Sequence, residues 1–254
     1  MKTELFESIE NVIGKVNTIV LLDEQGCTSE VSRIVTDEKP YILKSANKEK
    51  YREWLKNEAH ILEKLRDNSI PLPRYFGFFE QLDSSHLLMS FEEGVTLTYA
   101  LTNATLMEKK KLLRSFGRFL NHFHESSPLN CLEHEGSWLD IQLEKAKGYV
   151  DSGQCDGDSK LLNSLISNKP LPVNQTMIHG DCTTDNVLVK DGEISLFIDV
   201  AGMTVGDPRY DESLAISDLI DEPELLEAFY EGYTRYRVTM NEFKYFNEGL
   251  YEFF

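Results

Sequence analysis

Residues 179–186 read His179-Gly180-Asp181-Cys182-Thr183-Thr184-Asp185-Asn186, and two short apolar runs follow, Val187–Val189 and Ile194–Ile198. The runs are joined by Lys190-Asp191-Gly192-Glu193. Asp-Gly tolerates the positive φ angles of a tight turn, so the spacing predicts an antiparallel hairpin. Asn186 stands just before its first strand and Asp199 just after its second, which returns both side chains to the open end. An amide oxygen and a carboxylate converging in this way suit a hard divalent cation such as Mg2+. The competing account is a surface hairpin with incidental polar residues at its open end.

The loop ahead of the hairpin weighs against that account. His, any residue, Asp, four residues and then Asn is the pattern of a kinase catalytic loop. There a carboxylate must reach the attacking hydroxyl while an amide oxygen one loop away reaches magnesium on the phosphates. The whole segment HGDCTTDNVLVKDGEISLFIDVAGMTVGDPRYD resembles the heart of the aminoglycoside phosphotransferase family, a branch of the protein-kinase-like fold. The resemblance covers nearly the full chain. Leu87-Leu88-Met89-Ser90-Phe91-Glu92-Glu93-Gly94-Val95 is similar to that family's lobe connector. The terminal Leu250-Tyr251-Glu252-Phe253-Phe254 is similar to the C-terminus of the aminoglycoside 3′-phosphotransferases in particular.

The resemblance implies an α+β, two-lobed fold. Residues 1–92 would form a nucleotide-binding lobe with a five-stranded antiparallel sheet and one helix. Residues 93–254 would form a larger helical lobe with the catalytic loop and the acceptor site. The lobes are expected to meet near Ser90–Gly94, with ATP in the cleft and Lys44 facing Asp199 across it. Carried over by position, Asp181 would be the catalytic base, Asn186 and Asp199 the Mg2+ ligands, His179 a buried stabiliser of the loop and Asp211 its support. Lys44, in Tyr41-Ile42-Leu43-Lys44, resembles the strand lysine that pairs with the α- and β-phosphates, and Glu58 would hold it by an ion pair. Alone, that pair would read as two solvated surface charges. Gly26-Cys27-Thr28-Ser29 lies where a kinase has its glycine-rich loop but carries one glycine, so Thr28 and Ser29 would offer backbone N–H groups to phosphate. The backbones of Ser90 and Glu92 would read the adenine edge, with Met89 lining the pocket behind it. ATP is the expected nucleotide, with GTP as the alternative.

Outward from the loop, Val16–Asp23, Glu30–Thr36, Tyr41–Ser45, Tyr75–Gln81 and His86–Phe91 read as strands. Lys48–Leu65 reads as the helix among them, and the first ninety residues read otherwise as mostly strand. After Gly94 the pattern turns helical, with Leu112, Leu113, Phe116, Phe119, Leu120 and Phe123 forming one apolar stripe within Leu106–Glu125. Trp138–Asp151 and Ser159–Ser167 also look helical, and Pro223–Phe254 reads as two helices.

The net charge of −17 argues against nucleic acid and anionic membrane as partners and favours a cationic small-molecule acceptor. Solubility alone would also account for it. No run approaches a membrane span. The opening MKTELFESIENVIGK lacks an apolar core, so no secretory signal is expected. Cys27, Cys131, Cys155 and Cys182 have neither metal-ligand nor disulfide spacing, which points to the cytoplasm. Composition says nothing of oligomeric state.

The family holds polycationic aminoglycosides on carboxylates. By position Asp221, Glu252 and the terminal carboxylate of Phe254 would be three of these, with the Phe253 and Phe254 rings docked. Two positions depart from the family pattern: Tyr251 stands where an acid is common, and Gly202 where an arginine is common. Antibiotic resistance would follow from aminoglycoside phosphorylation. A kinase of another small alcohol, a sugar or amino alcohol, stays open, as does an inactive kinase-fold binding module. Lys44, Glu58, Asp181, Asn186 and Asp199 are all present, which speaks for the enzyme.

Overall fold

Alternating apolar positions in the N-terminal third pair into one sheet, seen in a computed structural model that describes residues 2–23 and 25–254. The chain divides into two compact units, one running to Glu93 and including Leu196–Ala201, the other Gly94–Ser195 with Gly202–Phe254.

In the first unit, helix α1 (Lys2–Ile13) precedes strands β1 (Val16–Leu21), β2 (Glu30–Thr36) and β3 (Pro40–Ala46). Helix α2 (Glu49–Lys64) and strands β4 (Tyr75–Glu80) and β5 (Ser85–Ser90) complete it. The sheet is antiparallel, in the order β1-β2-β3-β5-β4, with Lys44 opposite Leu87. The central β3 is buried at Tyr41, Ile42, Leu43 and Lys44. The α1 helix was not expected among the strands. Its Ile9 and Ile13, four residues apart, are buried with Ile34, Tyr41, Leu43 and Leu88, and Glu4, Glu7 and Glu10 along the helix interrupt the apolar pattern. Glu24, just ahead of the Gly26-Cys27-Thr28-Ser29 stretch, lies outside the described residues.

The second unit opens with β6 (Val95–Thr96), α3 (Leu97–Thr102) and α4 (Leu106–Glu125). Thr105 and Glu108 start α4 with a capping box, and Leu112, Leu113, Phe116, Leu120 and Phe123 are buried along it. Next come α5 (Trp138–Ser152), α6 (Ser159–Ser167), β7 (Thr176–Ile178), β8 (Val187–Lys190) and β9 (Glu193–Phe197), whose Leu196 and Phe197 belong to the first unit. The chain ends with β10 (Thr204–Gly206), α7 (Pro208–Ala215), α8 (Pro223–Tyr230), α9 (Met240–Phe246) and a 3-10 turn at Leu250–Phe253. The β8–β9 hairpin turns on Asp191 (φ 53) and Gly192 (φ 77), the left-handed pair that Asp-Gly favours. The core gathers Trp138, Leu143, Leu162, Ile178, Tyr210, Phe246 and Phe253. No described helix is long and apolar enough to cross a membrane.

Candidate active site

A lysine in the middle of a buried strand must find countercharge, because desolvating an unpaired ammonium costs several kcal/mol. Lys44 has two partners within the first unit. Its Nζ lies 2.9 and 3.0 Å from the two Glu58 carboxylate oxygens, and it also pairs with Asp199. Glu58 projects from the inner face of α2 beside Leu55, Ala59 and Leu62. Asp199 sits in the left-handed backbone region at φ 57, uncommon for a side chain larger than glycine.

The loop with Thr28 and Ser29 is pinned by a residue the sequence did not single out. The Gln25 side-chain amide bridges the Leu22 and Val31 carbonyls and accepts from the Val31 N–H at 2.7 Å. At the end of β5, Met89 is buried. Ser90 donates its N–H to the Arg74 carbonyl at 2.9 Å, and its hydroxyl donates to the half-buried Glu92 carboxylate.

In the second unit the catalytic-loop segment is built around Asp211, a fully buried carboxylate on α7. It accepts the backbone N–H of His179 at 2.6 Å and of Gly180 at 2.8 Å. His124 Nε2 lies 3.2 Å from the same carboxylate, and its Nδ1 2.9 Å from the Tyr233 hydroxyl. His179 is itself buried, with Nδ1 3.2 Å from the Asp181 N–H. Gly180 has φ +82, and a Cβ there would sit 2.3 Å from the Gly202 carbonyl oxygen. Only glycine fits that approach. A Cβ at Gly202 would in turn meet the Gly180 backbone at 3.0 Å, so a larger residue at 202 would press on the loop.

Asp181 presents an oriented carboxylate. Asn186 Nδ2 donates to its Oδ2 at 2.8 Å and to its backbone carbonyl at 2.8 Å. The Tyr251 hydroxyl donates to Oδ1 at 3.0 Å. Burial pushes the Asp181 carboxyl above the usual carboxylate range, while the His179 ring and the hydrogen bonds from Tyr251 and Asn186 work against that rise. Burial also drives the neighbouring Cys182 thiol well up.

Asn186 uses its amide nitrogen on Asp181, which leaves its amide oxygen as the acceptor for a cation. That oxygen, and separately the Asp199 carboxylate, are each hard oxygen donors. Mg2+ is commonly bound by one or two such groups with phosphate oxygens and water filling the rest. Among the described residues no group of three or more His, Cys, Asp or Glu could hold a metal.

The three carboxylates expected for the acceptor come from two segments of the chain. Glu252 and Phe254 share the terminal turn, whereas Asp221 is exposed in the turn ahead of α8. Phe253 is buried, and Phe254 meets Tyr149 edge-on at 5.8 Å. The Gly157 N–H donates to the Glu252 carbonyl at 2.9 Å. Sequence reasoning missed His124 and Tyr251 as partners of the loop. They stand 87 and 70 residues from the aspartates they contact, and no local spacing encodes such a pairing.

A model of the phosphotransferase enzyme family matches residues 20–243. The aminoglycoside 3′-phosphotransferase of Enterococcus faecalis is 25% identical over 179 residues, spanning 65% of this chain and 67% of that protein. The crystal structure of aminoglycoside-3′-phosphotransferase of type VIII superposes with a TM-score of 0.81 at 20% identity, covering 99% of this chain and 98% of that one. The aminoglycoside phosphotransferase APH(3″)-Id of Streptomyces rimosus, solved with ADP and streptomycin, gives a TM-score of 0.71 at 16% identity, covering 97% and 96%. The fold is therefore the protein-kinase-like one. The family match over most of the length, on a chain with an oriented aspartate and a doubly paired strand lysine, makes it a member of the phosphotransferase enzyme family, enzymes that transfer phosphate to a hydroxyl.

Proposed function

We propose that this enzyme moves the γ-phosphoryl group of ATP to a hydroxyl of an aminoglycoside, the 3′-hydroxyl being the first candidate. The observation that carries the reading is the Asp181 carboxylate, fixed by Asn186 and Tyr251 in a loop held rigid by Asp211. Phosphoryl transfer passes through a loose transition state, so the protein's work is positioning and charge compensation. Asp181 would orient the acceptor hydroxyl and take its proton. Lys44, kept in place by Glu58, would offer its ammonium to the nucleotide phosphates. Asn186 and Asp199 would hold Mg2+, which when bound neutralises charge on the phosphate oxygens. Thr28 and Ser29 would donate backbone N–H groups to phosphate, and Met89, Ser90 and Glu92 would line the adenine site. The relatives support nucleotide use and an aminoglycoside acceptor, since one is solved with ADP and streptomycin. Glu252, the Phe254 carboxylate and Asp221 are the candidate cation-binding groups, and aminoglycoside resistance is the expected phenotype. The lobe division at residue 93, the cytoplasmic location and the absence of nucleic-acid and membrane partners belong to the same proposal.

A second reading, transfer to a sugar or amino alcohol, is favoured by one observation. The group touching Asp181 from the chain end is the neutral phenol of Tyr251 rather than an acid. A coupled ADP-release screen with ATP and Mg2+ over aminoglycosides, sugars and amino alcohols separates the two. Turnover with aminoglycosides, with the 3′-phosphate found by NMR, is the expected result. Turnover with a neutral alcohol and none with any aminoglycoside would overturn the acceptor assignment.

A further inference from the structure

The last turn of the chain is built as a fixture. Leu250 and Phe253 are fully buried. A Cβ on Gly157 would run into the Phe253 ring at 2.5 Å, so the terminal turn lies directly against that glycine. Tyr251 stacks edge-on to Tyr210 at 6.5 Å, and Tyr210 is itself buried. The product of this packing is one hydroxyl delivered to Asp181 Oδ1 at 3.0 Å, from a residue 70 positions away.

An aspartate side chain rotates about χ1 and χ2, and its terminal torsion is broad. Asn186 holds Oδ2 from one side, which fixes one oxygen but leaves the carboxylate plane free to swing about that contact. A second donor on Oδ1 removes that freedom. We propose that Tyr251 is a positioning residue for the transfer reaction, clamping the Asp181 carboxylate plane so that its remaining lone pairs face the acceptor hydroxyl. Docking of the C-terminal turn then sets the geometry of the catalytic group as well as completing the core. The proposal rests on the phosphotransferase reading above and adds a residue to it.

The test removes the hydroxyl and keeps the ring. Tyr251→Phe should preserve packing on Tyr210, lower kcat by about 10-fold or more, the effect of losing one hydrogen bond to a charged group, and leave KM for ATP and for the acceptor nearly unchanged. In an Asp181→Asn background the same substitution should add no further loss, because it acts through that carboxylate. Tyr245→Phe serves as the structural control, since its hydroxyl donates only to the Leu165 carbonyl at 3.1 Å; kcat should hold there. Independently of any acceptor, the Asp181 carboxyl carbon resonance, assigned by its loss in Asp181→Asn, should move in Tyr251→Phe and stay in Tyr245→Phe. Wild-type kcat in Tyr251→Phe, or an equal loss in the Asp181→Asn background, overturns the proposal. If the wild-type chain phosphorylates nothing, the transfer reading fails by itself and the resonance decides the clamp; an unmoved resonance then overturns it.

Discussion

The two units solve the same problem, how to hold carboxylates in place, by opposite means. In the first, Glu58 and Asp199 close on the ammonium of Lys44. In the second, Asp211 is satisfied by two backbone N–H groups and an imidazole, and Asp181 by an amide and a phenol. A cation held between carboxylates can exchange one of them for a phosphate oxygen, because point charges make few angular demands. Backbone donors cannot be exchanged, since each fixes the path of the loop. The ionic cluster is thus suited to a group that meets a ligand, and the hydrogen-bonded one to a group whose position must not change.

That contrast can be broken from either side. The largest effect should come from Asp181→Ala, with kcat falling by roughly 10²–10⁴-fold while ATP affinity, measured by titration, stays near wild type. A comparable loss of ATP affinity would show that the two clusters are not separate in role. Asp211→Ala should follow. It strips the His179 and Gly180 N–H groups and His124 of their partner, at about 1–3 kcal/mol for each group left buried and unpaired, and urea unfolding should show about 4 kcal/mol or an unfolded protein. Lys44→Met should cost less, about 3 kcal/mol, nearly all from the buried Glu58. Asp199, with 41% of its side chain exposed, is screened by solvent and contributes little to that loss. Here ATP affinity should fall as well, which sets this variant apart from Asp211→Ala.

The smallest effect concerns Glu212, next to Asp211 on α7. It accepts from the Val238 N–H at 2.7 Å and the Tyr230 hydroxyl at 2.9 Å, and burial pushes its carboxyl up to about 7. Between the usual 4.5 and about 7 the folded protein holds a proton that the unfolded chain has released. Stability should therefore fall as pH rises through that window and level off above it. Glu212→Gln should remove the dependence and gain about 2 kcal/mol over wild type at pH 8 relative to pH 5. Parallel pH profiles for both proteins would show that the wild-type residue is ionised throughout.

The sequence was most legible where a local rule applies. Asp191-Gly192 announced its hairpin, the stripe along α4 its buried face, and the five strands their pattern, because each is written within a few residues. The family resemblance placed Lys44, Glu58, Asp181, Asn186 and Asp199 on their elements in the same way. Long-range contacts were not legible. Nothing in Gln25, His124 or Tyr251 distinguishes them from loop, core and tail residues until the fold brings them to Val31, Asp211 and Asp181. The α1 helix escaped for a different reason, since its buried Ile9 and Ile13 stand among Glu4, Glu7 and Glu10, and the apolar Phe6 and Val12 are exposed off that face.

The central claim is stoichiometric phosphoryl transfer directed by Asp181. The most direct measurement is phosphorus NMR of the purified enzyme with ATP, Mg2+ and an aminoglycoside, beside Asp181→Ala under the same conditions. The account predicts one phosphate monoester on the acceptor for each ADP formed by the wild type, and both products formed about 100-fold or more slowly by the variant. ADP with free phosphate and no ester, or an ester formed equally by both proteins, would contradict it.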